Sequence, residues 1–379
     1  MTENKSSSLW QSNIVSILKL IVLVYLFLLS LEMMGASLKL FGKDFSKALI
    51  QTTSNPFVGL FIGILGTSLI QSSSTTTSMV VAMVVGGAFS NDMEVAIHLA
   101  IPLIMGANIG TSITNTIASL PQINRSNEFK RAFAAATVHD FFNYLSVLVL
   151  FPLQVYTNFL GKGASLMADA FAGVGGLKFL SPVKAVTKPV VKLLEKNLEH
   201  LFGNKHIVGW VLLALAIIFL FSALKFIVDV LKTMVVAKAK AWFDKILFKN
   251  AGRAFLVGII LTVLVQSSSI TTSLMVPLAG AGLLTLRQIF PYTLGSNIGT
   301  TITAILAALV TGNIAAVTVA FSHLLFNISG IVIWWPLGKV PMTIAEKFAE
   351  YSTRNKIIPI AYVIVLFFII PGIVIYLSQ

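Results

Sequence analysis

Gln71-Ser72-Ser73-Ser74-Thr75-Thr76-Thr77-Ser78 recurs as Gln266-Ser267-Ser268-Ser269-Ile270-Thr271-Thr272-Ser273, with only the fifth residue changed. Two further stretches recur in the same order: Gly106 to Thr114 as Gly295 to Thr303 and, more loosely, His139 to Asn143 as His323 to Asn327. A single Ser/Thr-rich match can arise from biased composition. Three matches in one order with similar gaps mean an internal duplication. The halves run over residues 14–156 and 207–338, preceded by a tail (1–13), joined by a linker (157–206) and followed by a C-terminal segment (339–379).

Outward from these motifs the chain is strongly apolar. Of its 379 residues 56% are hydrophobic and 11% charged, and the mean hydropathy is +0.89, which excludes an ordinary water-soluble enzyme. Cysteine is absent, so a disulfide framework, thiolate catalysis and Cys-based metal sites are excluded together. The net charge of +13 does not point to nucleic acid, because the basic residues lie between long apolar runs. That pattern belongs to juxtamembrane segments facing anionic lipid, which makes membrane lipid the expected partner.

The first apolar run, Ile14 to Leu31, is too long for a secretory leader and lacks a small-residue cleavage site, so it reads as a retained transmembrane helix. Half one offers Ile14 to Leu40, a bipartite segment from Pro56 to Phe89, an interrupted one from Val95 to Leu120, and Ala132 to Val155. Half two offers Ile207 to Leu231, Arg253 to Leu284, Gln288 to Leu309 and Ile314 to Leu337, and Ile357 to Leu377 follows both. Val58 to Ile70 makes about 20 Å of helix, short of the roughly 30 Å hydrocarbon core. Two short arms meeting at a Ser/Thr-rich centre read as a re-entrant hairpin, with a broken spanning helix as the alternative. With hairpins each half crosses three times, and an odd number forces the second half to enter from the opposite side. The expected fold is an all-α membrane protein of two inverted-topology repeats, each with a re-entrant helical hairpin and a broken transmembrane helix. The distribution of Lys and Arg places the N terminus in the cytoplasm and the linker outside. Pro182 and Pro189 predict short amphipathic pieces in that linker instead of one long helix.

Gln, Ser and Thr at membrane depth lose water, and each uncompensated polar group costs a few kcal/mol. Glue between helices explains one such cluster but gives no reason for the same tetrapeptide twice. Two broken elements related by a pseudo-two-fold axis can instead bring their tips together as a binding site. Helix N-termini there suit an anion, and hydroxyl and carbonyl oxygens suit a small hard cation. Gln71 and Gln266 can serve either. Neither motif contains Arg or Lys, so an anion would need a co-bound cation, and coupling to sodium follows. The glycines of Gly106-Ala107-Asn108-Ile109-Gly110 and of its repeat read in two ways, as unwinding points that expose backbone oxygens or as close helix packing.

The chain resembles the type II sodium-dependent inorganic phosphate cotransporters and is similar to a bacterial member of that family. The resemblance is carried by both Gln-Ser-Ser-Ser motifs, by Ile101 to Ser112, by Phe129-Lys130-Arg131-Ala132-Phe133 leading to Thr137 to Asn143, and by Phe326-Asn327-Ile328-Ser329-Gly330. It implies a multi-pass carrier of the bacterial inner (plasma) membrane, elevator-like or rocking, that moves inorganic phosphate with co-transported sodium. It also implies a sodium site at Gln266, Ser267, Ser296, Thr300 and Thr303, and phosphate near Ser72, Ser73, Ser74, Ser268 and Ser269. A second cation site would use Gln71, Asn108, Thr111 and Thr114, with Asp92 as a nearby acid. A homodimer is the expected assembly.

A carrier of another anion, sulfate or a dicarboxylate, is the alternative within transport. An intramembrane serine hydrolase is the remote one, since no His, Lys, Asp or Glu neighbours either Ser/Thr run to serve as base. His139 and Asp140 read as a structural hydrogen-bonding pair, Trp334 and Trp335 as an interfacial anchor, Glu94 and His98 as a solvated helix mouth, and Lys225 and Asp229 as an i,i+4 pair.

Overall fold

The computed structural model describes residues 3–41, 50–173, 181–243 and 250–378. All regular structure among them is helical. Seven helices are long and apolar enough to cross a membrane: within Val15–Leu40, Met93–Gln122, Ser126–Thr157, Lys205–Ala223, Leu286–Thr311, Ile314–Trp334 and Ile357–Leu377. Three shorter apolar helices accompany them, Pro56–Ile70, Ser73–Val85 and Ala251–Val265.

In half one, α1 (Glu3–Leu40) leads to α2 (Pro56–Ile70) and α3 (Ser73–Val85), then α4 (Met93–Thr111), α5 (Ile113–Ser119) and α6 (Ser126–Thr157). The connecting region holds α7 (Phe159–Gly173) and α8 (Ser181–Phe202). Half two runs α9 (Lys205–Phe243), α10 (Ala251–Val265), α11 (Ser268–Ser273), α12 (Met275–Gly280), α13 (Leu286–Thr311) and α14 (Ile314–Trp334). An amphipathic α15 (Lys339–Ser352) and a last apolar helix α16 (Ile357–Leu377), with a π turn at Val365–Ile369, complete the chain.

The two repeated motifs fold alike. Asn55 caps α2 by accepting from the Phe57 N–H, and Asn250 caps α10 by accepting from the Arg253 N–H. Each helix runs 15 residues and stops where the glutamine adopts a left-handed conformation, φ 57° at Gln71 and 54° at Gln266. That backbone is unfavourable for a non-glycine residue. Ser72 and Ser267 then start the next helix as N-caps, the standard use of serine where N–H groups lack partners.

The glycines decide how these units pack. A Cβ at Gly106 would run into the Leu60 carbonyl, and one at Gly63 into the Leu103 carbonyl. Gly295 and Gly258 stand in the same relation to the Phe255 and Tyr292 carbonyls. Helices α2 and α4, and likewise α10 and α13, therefore cross backbone to backbone, as small residues allow between membrane helices. Close packing is the reading that holds. The chain stays helical through Gly106 to Thr111, with a one-residue turn at Ser112, and α13 is uninterrupted, so neither glycine motif unwinds its helix.

Two other expectations change. Helix α8 runs unbroken through Pro189; Pro182 sits at its start, where no N–H is needed, and Val191, Leu194 and Leu198 pack it into the cluster of α1 and α9. Trp334 is buried beside Phe142 and Phe290, while half-buried Trp335 packs edge-on against Phe255; neither stands free as an anchor. The Lys225 and Asp229 side chains lie outside the described residues. Exposed apolar side chains on the spanning helices, among them Ile21, Leu148, Trp210, Ile218 and Ile369, suit a hydrocarbon surround.

Candidate functional site

The two tips meet. The Ser269 hydroxyl donates to the Gln71 carbonyl at 3.3 Å, joining residues 198 positions apart. Within each serine triplet the first member is committed: the Ser72 hydroxyl accepts from the Thr75 N–H at 3.2 Å and the Ser267 hydroxyl from the Ile270 N–H at 3.4 Å. Both therefore act as caps through their oxygens, while neither O–H donates to protein among the described residues. Ser73, Ser74 and Ser268 differ. They are 2%, 4% and 3% exposed, and among the described residues their hydroxyls make no hydrogen bond to protein. No Lys or Arg belongs to either motif. Three largely dehydrated O–H donors at a junction of helix starts form a surface for a multiply oxygenated anion.

In half two the oxygens converge. Thr303 donates to the Gln266 Oε1 at 2.7 Å. Ser296 Oγ lies 2.6 Å from Thr262 Oγ1 and 3.1 Å from Thr271 Oγ1, and those two are 2.8 Å apart. All three residues are buried. The Ser267 carbonyl accepts from Thr271. Thr300 faces its own helix, donating to the Ser296 carbonyl at 3.0 Å. Of the expected sodium ligands, Gln266 and Thr303 are thus paired, and Ser296 joins a hydroxyl triangle with Thr262 and Thr271. The sequence reading missed those two. The signal available was that Thr262 lies one helical turn before Gln266 and recurs as Thr67 before Gln71.

Half one is looser at the equivalent positions. Gln71 is exposed and its side chain bonds to nothing among the described residues. Ala107 replaces Ser296, and Thr67 Oγ1 is buried without a partner; Thr114 Oγ1, equivalent to the hydroxyl that Gln266 holds, is unpartnered too. Thr111 bonds to the Ala107 carbonyl of its own helix. Asp92 does not join this group. It is exposed, its carboxylate caps α4 by accepting from the Glu94 and Val95 N–H groups, and it sits about 24 Å along that helix from Asn108.

Asn108 has a different occupation. Its amide donates to Asn327 Oδ1 at 2.8 Å, its Oδ1 lies 3.2 Å from His323 Nε2, and its carbonyl accepts from Asn143. The repeat mirrors two of these bonds: Asn297 donates to Asn143 Oδ1 at 3.0 Å, and its Oδ1 lies 2.7 Å from His139 Nε2. Each motif asparagine is held by the histidine and asparagine of the opposite half. This explains why His139 and Asn143 recur as His323 and Asn327. That bridge uses one amide N–H of Asn108 and one lone pair of its Oδ1, so the side chain has a structural role that the sequence does not show.

Asp140 is the acid at depth. It is fully buried; Oδ2 accepts from Thr116 and Tyr362, each at 2.9 Å, and Oδ1 has no partner. No cationic side chain pairs with it among the described residues. A carboxylate so placed needs a proton or a metal cation. Its counterpart in half two is Leu324.

The Na+/Pi-cotransporter family description matches residues 26–180 and 218–346, covering both halves. The chain belongs to that family. It is a family of cotransporters, not of enzymes. Among curated relatives, the chain is similar to sodium-dependent phosphate transport protein 2B of Pongo abelii, 35% identical over 92% of this chain and 63% of that protein. It is also similar to protein 2A of Rattus norvegicus, 33% identical over 94% and 66%, and of Oryctolagus cuniculus, 33% identical over 100% and 71%. The chain thus spans a little under two thirds of the length of its first curated relatives. No solved structure matches. Family membership and the seven span-length helices make this a multi-pass membrane protein.

Proposed function

We propose that this chain is a secondary active transporter coupling inward sodium movement to uptake of inorganic phosphate by alternating access, as the names of its relatives suggest for them. The observation that carries this reading is the meeting of two tips that offer unbonded, buried serine hydroxyls and no basic side chain. An oxyanion in such a place is poorly compensated alone. Sodium on the adjacent oxygens offsets its charge, so each ligand raises the affinity for the other.

Phosphate would sit against Ser72, Ser73, Ser74, Ser268 and Ser269. One sodium would use Gln266, Thr303 and the Ser296, Thr262 and Thr271 hydroxyls, with the Ser267 carbonyl, after the Gln266–Thr303 bond opens. A second would use the open set Gln71, Thr67 and Thr114. Asp140 takes the role of supporting acid expected of Asp92. The proposal keeps the domain division at 157 and 207, re-entrant hairpins and inverted halves, a reading supported by three span-length helices in each half. A bacterial plasma membrane is the proposed location. The buried bonds crossing between the halves favour movement of a joined core over rocking of one half against the other.

Purified protein in liposomes should accumulate labelled phosphate under an inward sodium gradient and not under potassium or choline. Equal uptake under all three cations would refute the coupling, and sodium-driven sulfate or dicarboxylate uptake in its place would refute the substrate.

A further inference from the structure

The two tips are equivalent in sequence, yet the helices that leave them are held very differently. After the second tip, α11 and α12 are tied to the rest of the molecule at three points besides the Thr271 hydroxyl triangle and the Ser269–Gln71 bond. Thr272 donates to Asn115 Oδ1 on α5 at 2.8 Å, and Asn115 in turn bonds His139 Nδ1 at 3.0 Å. The Tyr292 hydroxyl donates to the Thr271 carbonyl at 3.2 Å. Arg131 of α6 reaches the far end of α12, its Nε and Nη2 donating to the Gly280 carbonyl at 3.0 and 2.6 Å, where a cation also meets the negative end of the helix dipole.

The register of the repeats places Ala304, Leu103 and Ala315 where half two's arm finds Asn115, Tyr292 and Arg131. Each tether is replaced by a side chain unable to make it. The consequences are visible in α3. Thr75, Thr76 and Thr77 bond only to Ser72, Ser73 and Ser74 of their own helix start, and Ser78 Oγ is buried without a partner. His323 Nδ1, whose counterpart His139 Nδ1 bonds Asn115, is likewise unpartnered. Among the described residues, no side chain of α3 hydrogen-bonds outside its own segment; the helix is held by packing, with Val80, Val81, Ala82 and Val84 buried.

We propose that Asn115, Tyr292 and Arg131 are positioning residues that fix the α11–α12 arm as the static wall of the site, and that α3 is the arm that opens and closes over the ligands. The part about ligands rests on the transport reading; the difference in anchoring does not.

Hydrogen exchange on the unmodified full chain separates the two. In potassium chloride without phosphate, amides of residues 73–85 should exchange at least about tenfold faster than those of residues 268–280, the ratio expected when two or three net hydrogen bonds are missing. Equal rates would overturn the tether argument whether or not the protein transports phosphate. Sodium plus phosphate should then slow exchange about tenfold in α3 and less than about twofold in α11–α12; equal slowing in both arms would overturn the assignment of the moving part. Arg131→Ala should raise exchange at the end of α12 by about tenfold, and Arg131→Lys should restore most of it. A purely local fold defect would not show that rescue.

The absence of native cysteine permits a second check. A Cβ at Gly280 would lie 3.3 Å from that of Ala132, within reach of a disulfide. Oxidised Ala132→Cys/Gly280→Cys protein should transport phosphate as fast as the reduced form. Transport lost on oxidation and recovered on reduction would overturn the proposal. A reduced form and parent that both lack sodium-driven uptake would instead remove the transport reading beneath it.

Discussion

The first tip is open and the second is closed, although their motifs differ at one residue in eight. Gln266 is held by Thr303 and its neighbouring hydroxyls form a triangle, whereas Gln71 is exposed and Thr67 and Thr114 have no partners. One substitution accounts for much of the difference: Ser296 supplies the hydroxyl that Ala107 lacks. Duplication fixed the backbone plan of both tips, the Asn cap, the left-handed glutamine and the serine cap. Single side chains on neighbouring helices then made the two tips inequivalent. A carrier gains from that asymmetry, since a site that is partly built and partly open can accept ligand on one side without losing its shape.

The shared part of the plan should be the most fragile. Gly106→Leu and Gly295→Leu each force a side chain into a facing carbonyl, and both should destabilise by on the order of 3 kcal/mol or more, seen as loss of monodisperse protein in detergent. A large effect at only one of them would break the claim that the halves are built alike. Next in size comes a difference between halves. Thr262→Val removes a member of the hydroxyl triangle and should cost about 1–3 kcal/mol in thermal unfolding, while Thr67→Val, which removes a hydroxyl already without a partner, should be neutral or slightly stabilising. Equal costs would erase the contrast. Gln266→Ala should raise the sodium concentration for half-maximal uptake about tenfold and Gln71→Ala less than about threefold, with the reverse order showing that the open tip is the principal cation site.

The smallest effect belongs to the surface. Lys130 sits 2.8 Å from Glu350 and holds its carboxyl below the usual range, first by hydrogen bond and then by charge. A depressed carboxyl contributes stability above its ordinary pKa, lost as pH falls through the folded value. Glu350→Gln should therefore lower the melting temperature slightly at pH 7 and not at all at a pH below that folded value. Because Lys130 adjoins Arg131, a large effect would show that this exposed pair supports the α12 anchor.

Much of this was legible in the sequence. The repeat, the short arms and the span-length helices all follow from periodicity, length and identity of residues. What was not legible depends on neighbours distant in the chain. The glycines of Gly106 to Gly110 permit both unwinding and close packing, and only the opposing carbonyls of Leu60 and Ile64 decide for packing. The bridge from Asn108 to His323 and Asn327 joins residues more than 200 positions apart, and no local pattern announces it. Asp92 resembles a useful acid because it follows the first motif, yet a helix start claims it, and the buried acid is Asp140, contacted by Tyr362 from outside both repeats. Pro189 predicts a break that side-chain packing overrides.

The central claim is that the paired serine tips hold phosphate only together with sodium. Equilibrium binding of labelled phosphate to purified protein, titrated in sodium chloride and in potassium chloride at equal ionic strength, tests it without any assumption about movement. Affinity should rise by at least about tenfold in sodium; the same affinity in both salts would contradict the account.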